Sequence, residues 1–311
     1  MTTFRMRAAQ GLMGLFLAGW SASLAWAEDS TRQSLGDAWW TGPMLAASPK
    51  GPGEGHALTE AYMYDQIADH SQSLRSYSYL LYGVSDRFTL GMIPIFGFNE
   101  ADGSHPSFGI SDLTFQAQYA VTDFNPDTGM PIIALVLRQS VATGRYDRLS
   151  KATEAFGAGA GATSLGLFSQ DYVWLPNGRL LRVRADVLAS VSQEAHVQDI
   201  SVFNTPQGFG GLARPGDAVS LDVSLEYSLT RSWVLATDLL YDHGDTTHVD
   251  GAVAGNSLRF ALGSSDGFGV APALEYSWAP NWGVLFATRI LTEGRNRPAS
   301  VTPAIALNVV M

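Results

Sequence analysis

The sequence predicts an all-β protein: a transmembrane, antiparallel, up-and-down β-barrel of the outer-membrane type, with about 12 strands. Three observations carry this. Apolar and polar residues alternate with period two along most of the chain, and a strand sends alternate side chains to opposite faces. The alternating stretches are long, about 10 to 14 residues, whereas globular strands average about 5 to 6 and a tilted strand crossing a bilayer needs about 9 to 11. The connections also alternate, short turns with long loops, as in bacterial outer-membrane barrels.

Composition fits. The 311 residues are 46% hydrophobic but only 15% charged, and they include no cysteine. This excludes a disordered chain, a disulfide scaffold and a zinc-cysteine protein. A net charge of -10, with Lys50 and Lys151 the only lysines, argues against a phosphate-binding face and so against nucleic acid.

In chain order, residues 1–27 read as a secretory signal peptide. Arg5 and Arg7 precede an apolar stretch from Gly11 to Leu24, and Ala25-Trp26-Ala27 forms a small-x-small cleavage site. Residues 28–56 hold Trp39, Trp40, Pro43, Pro49 and Pro52 without alternation. They are expected to be a periplasmic or lumen-entering N-terminal segment, or a flexible tail. The barrel is assigned to residues 57–311.

Its predicted strands begin with 57–67 and 72–84, then, after the turn at Ser85-Asp86, 87–98. In strand 108–121, Leu113, Phe115, Ala117, Tyr119 and Val121 oppose Asp112, Thr114, Gln116 and Gln118, and a turn at Asn125-Pro126-Asp127 leads to strand 130–143. Loop 144–161 precedes strand 162–175, and the turn Pro176-Asn177-Gly178 leads to 179–192, where Leu181, Val183, Ala185, Val187, Ala189 and Val191 oppose Arg182, Arg184 and Asp186. Loop 193–216 precedes 217–230, the clearest case, with Val219, Leu221, Val223, Leu225, Tyr227 and Leu229 against Ser220, Asp222, Ser224, Glu226 and Ser228. Thr230-Arg231 turns into 232–244, loop 245–259 leads to 260–278, and Pro280-Asn281 joins that strand to 281–293, before 299–311. The tenth strand is overlong as drawn, so its first part is assigned to the preceding loop. Pro94, Pro272 and Pro303 fall inside strands, where each deletes a ladder donor, and are expected near rims or bulges.

Beside the short turns lie Tyr82, Phe88, Tyr119, Tyr172, Trp174, Tyr227, Trp233, Tyr276, Trp278 and Trp282. Folded up, they form an aromatic girdle at one membrane interface, unless they are hairpin-flanking core residues. The opposite parity gives a lumen lining of Asp112, Arg138, Arg182, Arg184, Asp186, Asp222, Glu226, Asp238, Glu275 and Arg289. Here Arg138, Arg182, Arg184 and Arg289 are expected to face Asp186, Asp222, Glu226 and Asp238 across the interior. These groups either plug the lumen as ion pairs or line a narrow polar path; their mixed signs argue against strong ion selectivity.

Several segments resemble a known family. They are Pro49-Lys50-Gly51, Glu60-Ala61-Tyr62-Met63-Tyr64, Tyr82-Gly83-Val84-Ser85-Asp86-Arg87-Phe88 and Gly109-Ile110-Ser111-Asp112-Leu113. Thr143-Gly144-Arg145-Tyr146 adds a fifth, with Ala142 where that family has proline. Together they resemble the outer-membrane proteins of the "MetA-pathway of phenol degradation" family over most of residues 49–311. The resemblance implies an outer-membrane barrel admitting hydrophobic or aromatic substrates and brings no catalytic residues.

Other chemistry is thin. The six histidines form no tight metal motif, although Asp242, His243, Asp245 and His248 cluster in one loop, as a cation site or a solvated polar stretch. His70-Ser71 suggests a barrel hydrolase, but adjacent strand residues point to opposite faces. Gly157-Ala158-Gly159-Ala160-Gly161 is followed by no lysine and is not a phosphate loop. The functional expectation is therefore a channel for a small, hydrophobic or aromatic solute in the outer membrane of a Gram-negative cell. The alternatives are a structural or adhesive barrel acting through its external loops, and a barrel hydrolase. Outer-membrane lipids, the barrel-assembly machinery and the solute are the expected partners. No cofactor, metal or enzymatic activity is expected, and the oligomeric state stays open.

Overall fold

The computed structural model describes residues 32–68, 71–101 and 105–311. The proposed signal peptide and His70 lie outside them.

In chain order the strands are β1 (Ala57–Ala68), β2 (Ser71–Gly83), β3 (Phe88–Ile93), β4 (Ile95–Ala101), β5 (Ser107–Ile110), β6 (Leu113–Ala120), β7 (Ile132–Val141), β8 (Ala162–Trp174) and β9 (Leu180–Ser192). There follow β10 (Ala195–Gln198), β11 (Phe209–Arg214), β12 (Ala218–Ser228), β13 (Trp233–Gly244), β14 (Thr247–Val253), β15 (Asn256–Leu262), β16 (Ser265–Ala279), β17 (Trp282–Leu291) and β18 (Ser300–Val310). The large sheet runs β1-β18-β17-β16-β13-β12-β9-β8-β7-β6-β3-β2, and β1 pairs β2 to close it. β3 with β4, and β5 with β6, are the halves of two interrupted strands, so the barrel has twelve strands, all antiparallel. Closure matters because hydrocarbon offers no partner to an open edge.

The first interruption falls at Pro94, which has no N–H to donate. Its carbonyl still accepts from Ser78 N at 3.1 Å, which holds the register. The second falls beside it, at Ser111-Asp112, where the Asp112 carboxylate accepts from Gly144 N (2.9 Å) and Ala158 N (2.6 Å). Pro272 and Pro303, expected near rims or at bulges, are not at rims. They sit within β16 and β18, where residue-by-residue pairing lapses at Ala271-Pro272 toward β17 and at Thr302-Pro303 toward β1. The missing donor on each proline accounts for the lapse.

The outer surface is apolar, with Leu135, Leu165, Leu239 and Phe286 each at least half exposed. On a water-soluble protein such a continuous belt would drive association; here it is the lipid-facing surface. The short turns after β2, β6, β8, β12 and β16 mark the periplasmic end, and the long loops lie at the other.

Two of those loops are more than polar connections. Parts of 193–216 and 245–262 pair into a second, four-stranded sheet, β10-β11-β14-β15. It covers a small core of Ala195, Val197, Phe203, Phe209, Ala213 and Val249. Its β15 takes residues 256–262, and the barrel strand β16 starts only at Ser265. Phe260 and Leu262 share the even parity of Phe268 and Val270 in β16, which is why the predicted tenth strand ran long.

Residues 32–56 form an arch through the lumen. Gln33 N donates to Gly178 O (2.9 Å) and Trp39 N to Arg231 O (2.8 Å), tying the entry to two periplasmic turns. The chain crosses the interior and returns beside the β2–β3 turn, where Gly55 N donates to Gly83 O at 2.9 Å. Gly42, at φ 120°, turns the arch inward in a conformation that other residues rarely adopt.

Candidate functional site

The lumen is lined by polar and charged groups, and strand parity places them. On β9, β12 and β13 the inward positions hold Arg182, Arg184, Asp186, Asp222, Glu226 and Asp238, and on β16 Glu275. Arg182 and Glu226 are directly cross-strand, and Arg182 Nε donates to Glu226 Oε1 at 2.8 Å in a fork whose second arm joins Nη2 to Oε2. Arg184 stands 3.5 Å from the same carboxylate and donates to Gln170 Oε1 (2.9 Å) and Ala46 O (3.0 Å). The expected pairing across the interior is therefore corrected: these ions pair sideways, along the wall. Adjacent strands bring such groups within reach, whereas groups on opposite walls are separated by the bore.

The other acids hold the arch. Glu275 Oε2 accepts from Thr41 N and Gly42 N, both at 2.9 Å. Asp238 accepts from Met44 N (3.1 Å) and Ala46 N (3.3 Å), and Asp186 Oδ2 from Ala47 N (2.7 Å). Five backbone N–H groups thus meet three carboxylates, a charge-assisted arrangement that satisfies donors otherwise stranded in the interior. Met44 packs into a cluster of Tyr62, Ala236, Ala271, Leu285 and Ala306; the small residues of this wall leave the room that Met44 fills.

Arg138 and Arg289 differ. Arg138 Nε donates to Gln116 Oε1 at 2.7 Å, with its guanidinium 5.5 Å from the centre of the Phe168 ring. The buried Nε of Arg289 has no hydrogen-bond partner among the described residues. Neither arginine makes an ion pair among them, contrary to expectation. Asp112 is also corrected: it serves the strand interruption and clamps loop 144–161 rather than lining the central bore.

Of the aromatic set, Tyr82, Phe88, Tyr119, Tyr227, Trp233, Tyr276, Trp278 and Trp282 have outward parity near the periplasmic rim. Trp233–Tyr276, Tyr276–Trp278 and Trp278–Trp282 stand 4.5, 6.3 and 6.0 Å apart, a continuous arc over β13, β16 and β17. Tyr172 and Trp174 are exceptions, because they share the inward parity of Phe168 and Gln170. Tyr172 packs 6.2 Å from Trp40, and Trp174 Nε1 donates to Gln33 O at 2.7 Å, so both grip the arch.

Sequence reasoning missed the wall of β1 and β2. Tyr62, Tyr64, Tyr77 and Tyr79 all point inward, Tyr62 stacked on Tyr64 at 5.5 Å, with Tyr79 and Tyr77 edge-on at 5.7 and 5.1 Å. Glu60 lies beside them and accepts from Asn308 Nδ2 at 2.6 Å. The available signal was the even-numbered run Leu58, Glu60, Tyr62, Tyr64, Gln66, obscured because both faces of β1 are of mixed polarity. A cavity of about 210 Å³ remains between this wall, the arch and the acidic wall. In the loop considered for a cation, Asp242 pairs with Arg297 (3.0 Å) and His243 Nδ1 meets Asp266 (2.7 Å). Among the described residues no group of three or more histidine or acidic side chains is placed to hold a metal.

A closed twelve-stranded barrel with a lipid-facing apolar surface and a polar interior defines an outer-membrane β-barrel protein. Within that class the chain belongs to the family described as "Putative MetA-pathway of phenol degradation", whose profile matches residues 42–304. Among solved structures it is similar to an outer-membrane channel from Pseudomonas putida F1, at 14% identity and a TM-score of 0.64, covering 86% of this chain and 100% of that one. It is more distantly similar to the β domain of the Bordetella autotransporter BrkA (11% identity, TM-score 0.44, 83% and 100% covered). The toluene transporter TbuX of Ralstonia pickettii is a third (13% identity, TM-score 0.38, 90% and 96% covered). No curated protein matches the sequence.

Proposed function

We propose that this protein is a passive channel for small solutes, aromatic ones among them, and that residues 32–56 set its bore. The observation that supports this reading is what fills the lumen. A wall of alanines on β13, β16, β17 and β18 leaves space, and the arch occupies it, held by hydrogen bonds to Glu275, Asp238 and Asp186. A barrel built only for stability would fill its centre with wall side chains, as small barrels do. The family's association with phenol degradation supports aromatic cargo. In this reading the protein is not an enzyme, it is inserted by the barrel-assembly machinery, and the outward aromatics near the short turns anchor it at the membrane interface.

The test is removal of residues 32–48 with the export signal kept. Single-channel conductance in planar bilayers should rise, and liposome uptake of phenol should accelerate. Unchanged conductance and uptake, together with lowered thermal stability, would sink the channel reading and leave a plugged structural barrel.

A further inference from the structure

The charges around the central cavity are arranged by quadrant. In the barrel order, β17 and β7, which carry Arg289 and Arg138, lie on opposite sides. Between them on one side stands the tyrosine wall of β1 and β2, and on the other the acidic wall of β9, β12 and β13. Arg138, Arg289, Tyr62, Tyr79, Asp186 and Asp222 all line the same cavity.

Two kinds of unmet bonding capacity face it. Arg289 Nε has no acceptor, and neither Arg138 nor Arg289 has a carboxylate partner among the described residues, whereas Arg182 and Arg184 share Glu226. A guanidinium stays charged, so a half-buried one with no carboxylate beside it favours an anion. Asp186 Oδ1 and Asp222 Oδ1 also have no hydrogen-bond partner among the described residues, and they lie on directly opposed residues of β9 and β12. Carboxylate oxygens accept, so that wall is open to a hydroxyl donor. Between the two lie the rings of Tyr62 and Tyr79, edge to face. A dry cavity of about 150 Å³ accepts benzene, so the 210 Å³ here suits one ring with small substituents.

We propose that this cavity is a binding site for a single-ring aromatic acid bearing a hydroxyl group: the carboxylate on Arg289 or Arg138, the ring against Tyr62 and Tyr79, the hydroxyl donating to Asp222 or Asp186. The proposal rests on the channel reading for its biological sense, since it names the solute class that would pause in the bore.

Calorimetric titration of the purified full chain in detergent tests it, with 4-hydroxybenzoate, benzoate, phenol and acetate as probes. 4-Hydroxybenzoate should bind most tightly, and acetate at least about tenfold more weakly. Arg289→Gln should weaken 4-hydroxybenzoate about tenfold and leave phenol unchanged. Tyr79→Leu should weaken all three ring compounds and carries the test if Arg289→Gln fails to give the heat-modifiable band of a folded barrel. Arg259→Gln, in the external sheet, should match wild type. Acetate binding as tightly as 4-hydroxybenzoate, or wild-type affinity in every folded variant, overturns the site. Conductance measured on the same preparations separates the two readings: conductance without aromatic binding removes this site and keeps the channel, and binding without conductance does the reverse.

Discussion

The two halves of the lumen wall handle charge in opposite ways. On β9, β12, β13 and β16 most charged groups have protein partners: Arg182 and Arg184 share Glu226, while Asp186, Asp238 and Glu275 each use at least one carboxylate oxygen to hold the backbone of the arch. On β1, β2 and β18 the wall is built mostly of tyrosine and alanine, with Glu60 and Asn308 among them, and its contact with the arch is by packing and neutral bonds: Asn308 Nδ2 to Thr41 O at 3.2 Å, Tyr62 Oη to Pro43 O at 3.4 Å and Tyr64 Oη to Met44 O at 3.2 Å. One half therefore fixes the arch and the other gives it room. A difference of this kind appears in stability measurements, because removing one member of a buried ion pair costs far more than removing a weak neutral bond.

The largest effect should come from breaking the fork. Arg182→Ala removes the fork from Glu226, which is fully buried and keeps only Arg184 at 3.5 Å, and should cost about 3 kcal/mol in reversible unfolding from bilayers. A loss below 1 kcal/mol would mean that water reaches Glu226 and that this half of the wall is not dry. Next, the two faces of β12 can be set against each other. Val223 faces lipid and Asp222 the lumen, so Val223→Arg should cost about 2 to 4 kcal/mol if it lies near the bilayer midplane, and Asp222→Asn much less. Equal tolerance would show the register to be wrong. Asp238→Asn then weakens two charge-assisted bonds to the arch, and a loss of about 1.5 to 3 kcal/mol is expected, with faster protease cleavage of the arch from the periplasmic side. Smallest is Tyr62→Phe, which keeps the ring contacts and loses one long bond; under about 1 kcal/mol is expected. A larger loss would make the tyrosine wall a second anchor and erase the contrast between the halves.

Much of the barrel was legible because its physics is periodic. The strict alternation of residues 217–230, with Asp222 and Glu226 on one parity and Val223 and Leu225 on the other, placed β12 and both of its faces. What was not legible depends on contacts that no local pattern encodes. Tyr172 and Trp174 sit beside a short turn like true interfacial aromatics, yet they face inward, because the arch supplies Trp40 and the Gln33 carbonyl as partners. The arch itself has no alternation to read, since its partners are carboxylates more than a hundred residues away. The sideways pairing of Arg182 follows from register: Glu226 is its cross-strand neighbour, and parity alone cannot say which strands adjoin. The external sheet was hidden because its strands are short and come from two separate loops.

That sheet also imposes an order of events in time. β11 pairs with β14, but the whole β12–β13 hairpin lies between them in the chain. Neither loop can complete the sheet before the other has crossed to the cell exterior, so Phe209 and Val249 become neighbours only after both hairpins have been delivered. Until then residues 195–214 can form only the β10–β11 hairpin, with one edge open and cleavable, and afterwards they are part of a closed clasp. Resistance of this segment to an external protease is thus a clock for the late stage of biogenesis, readable on intact cells without opening the membrane.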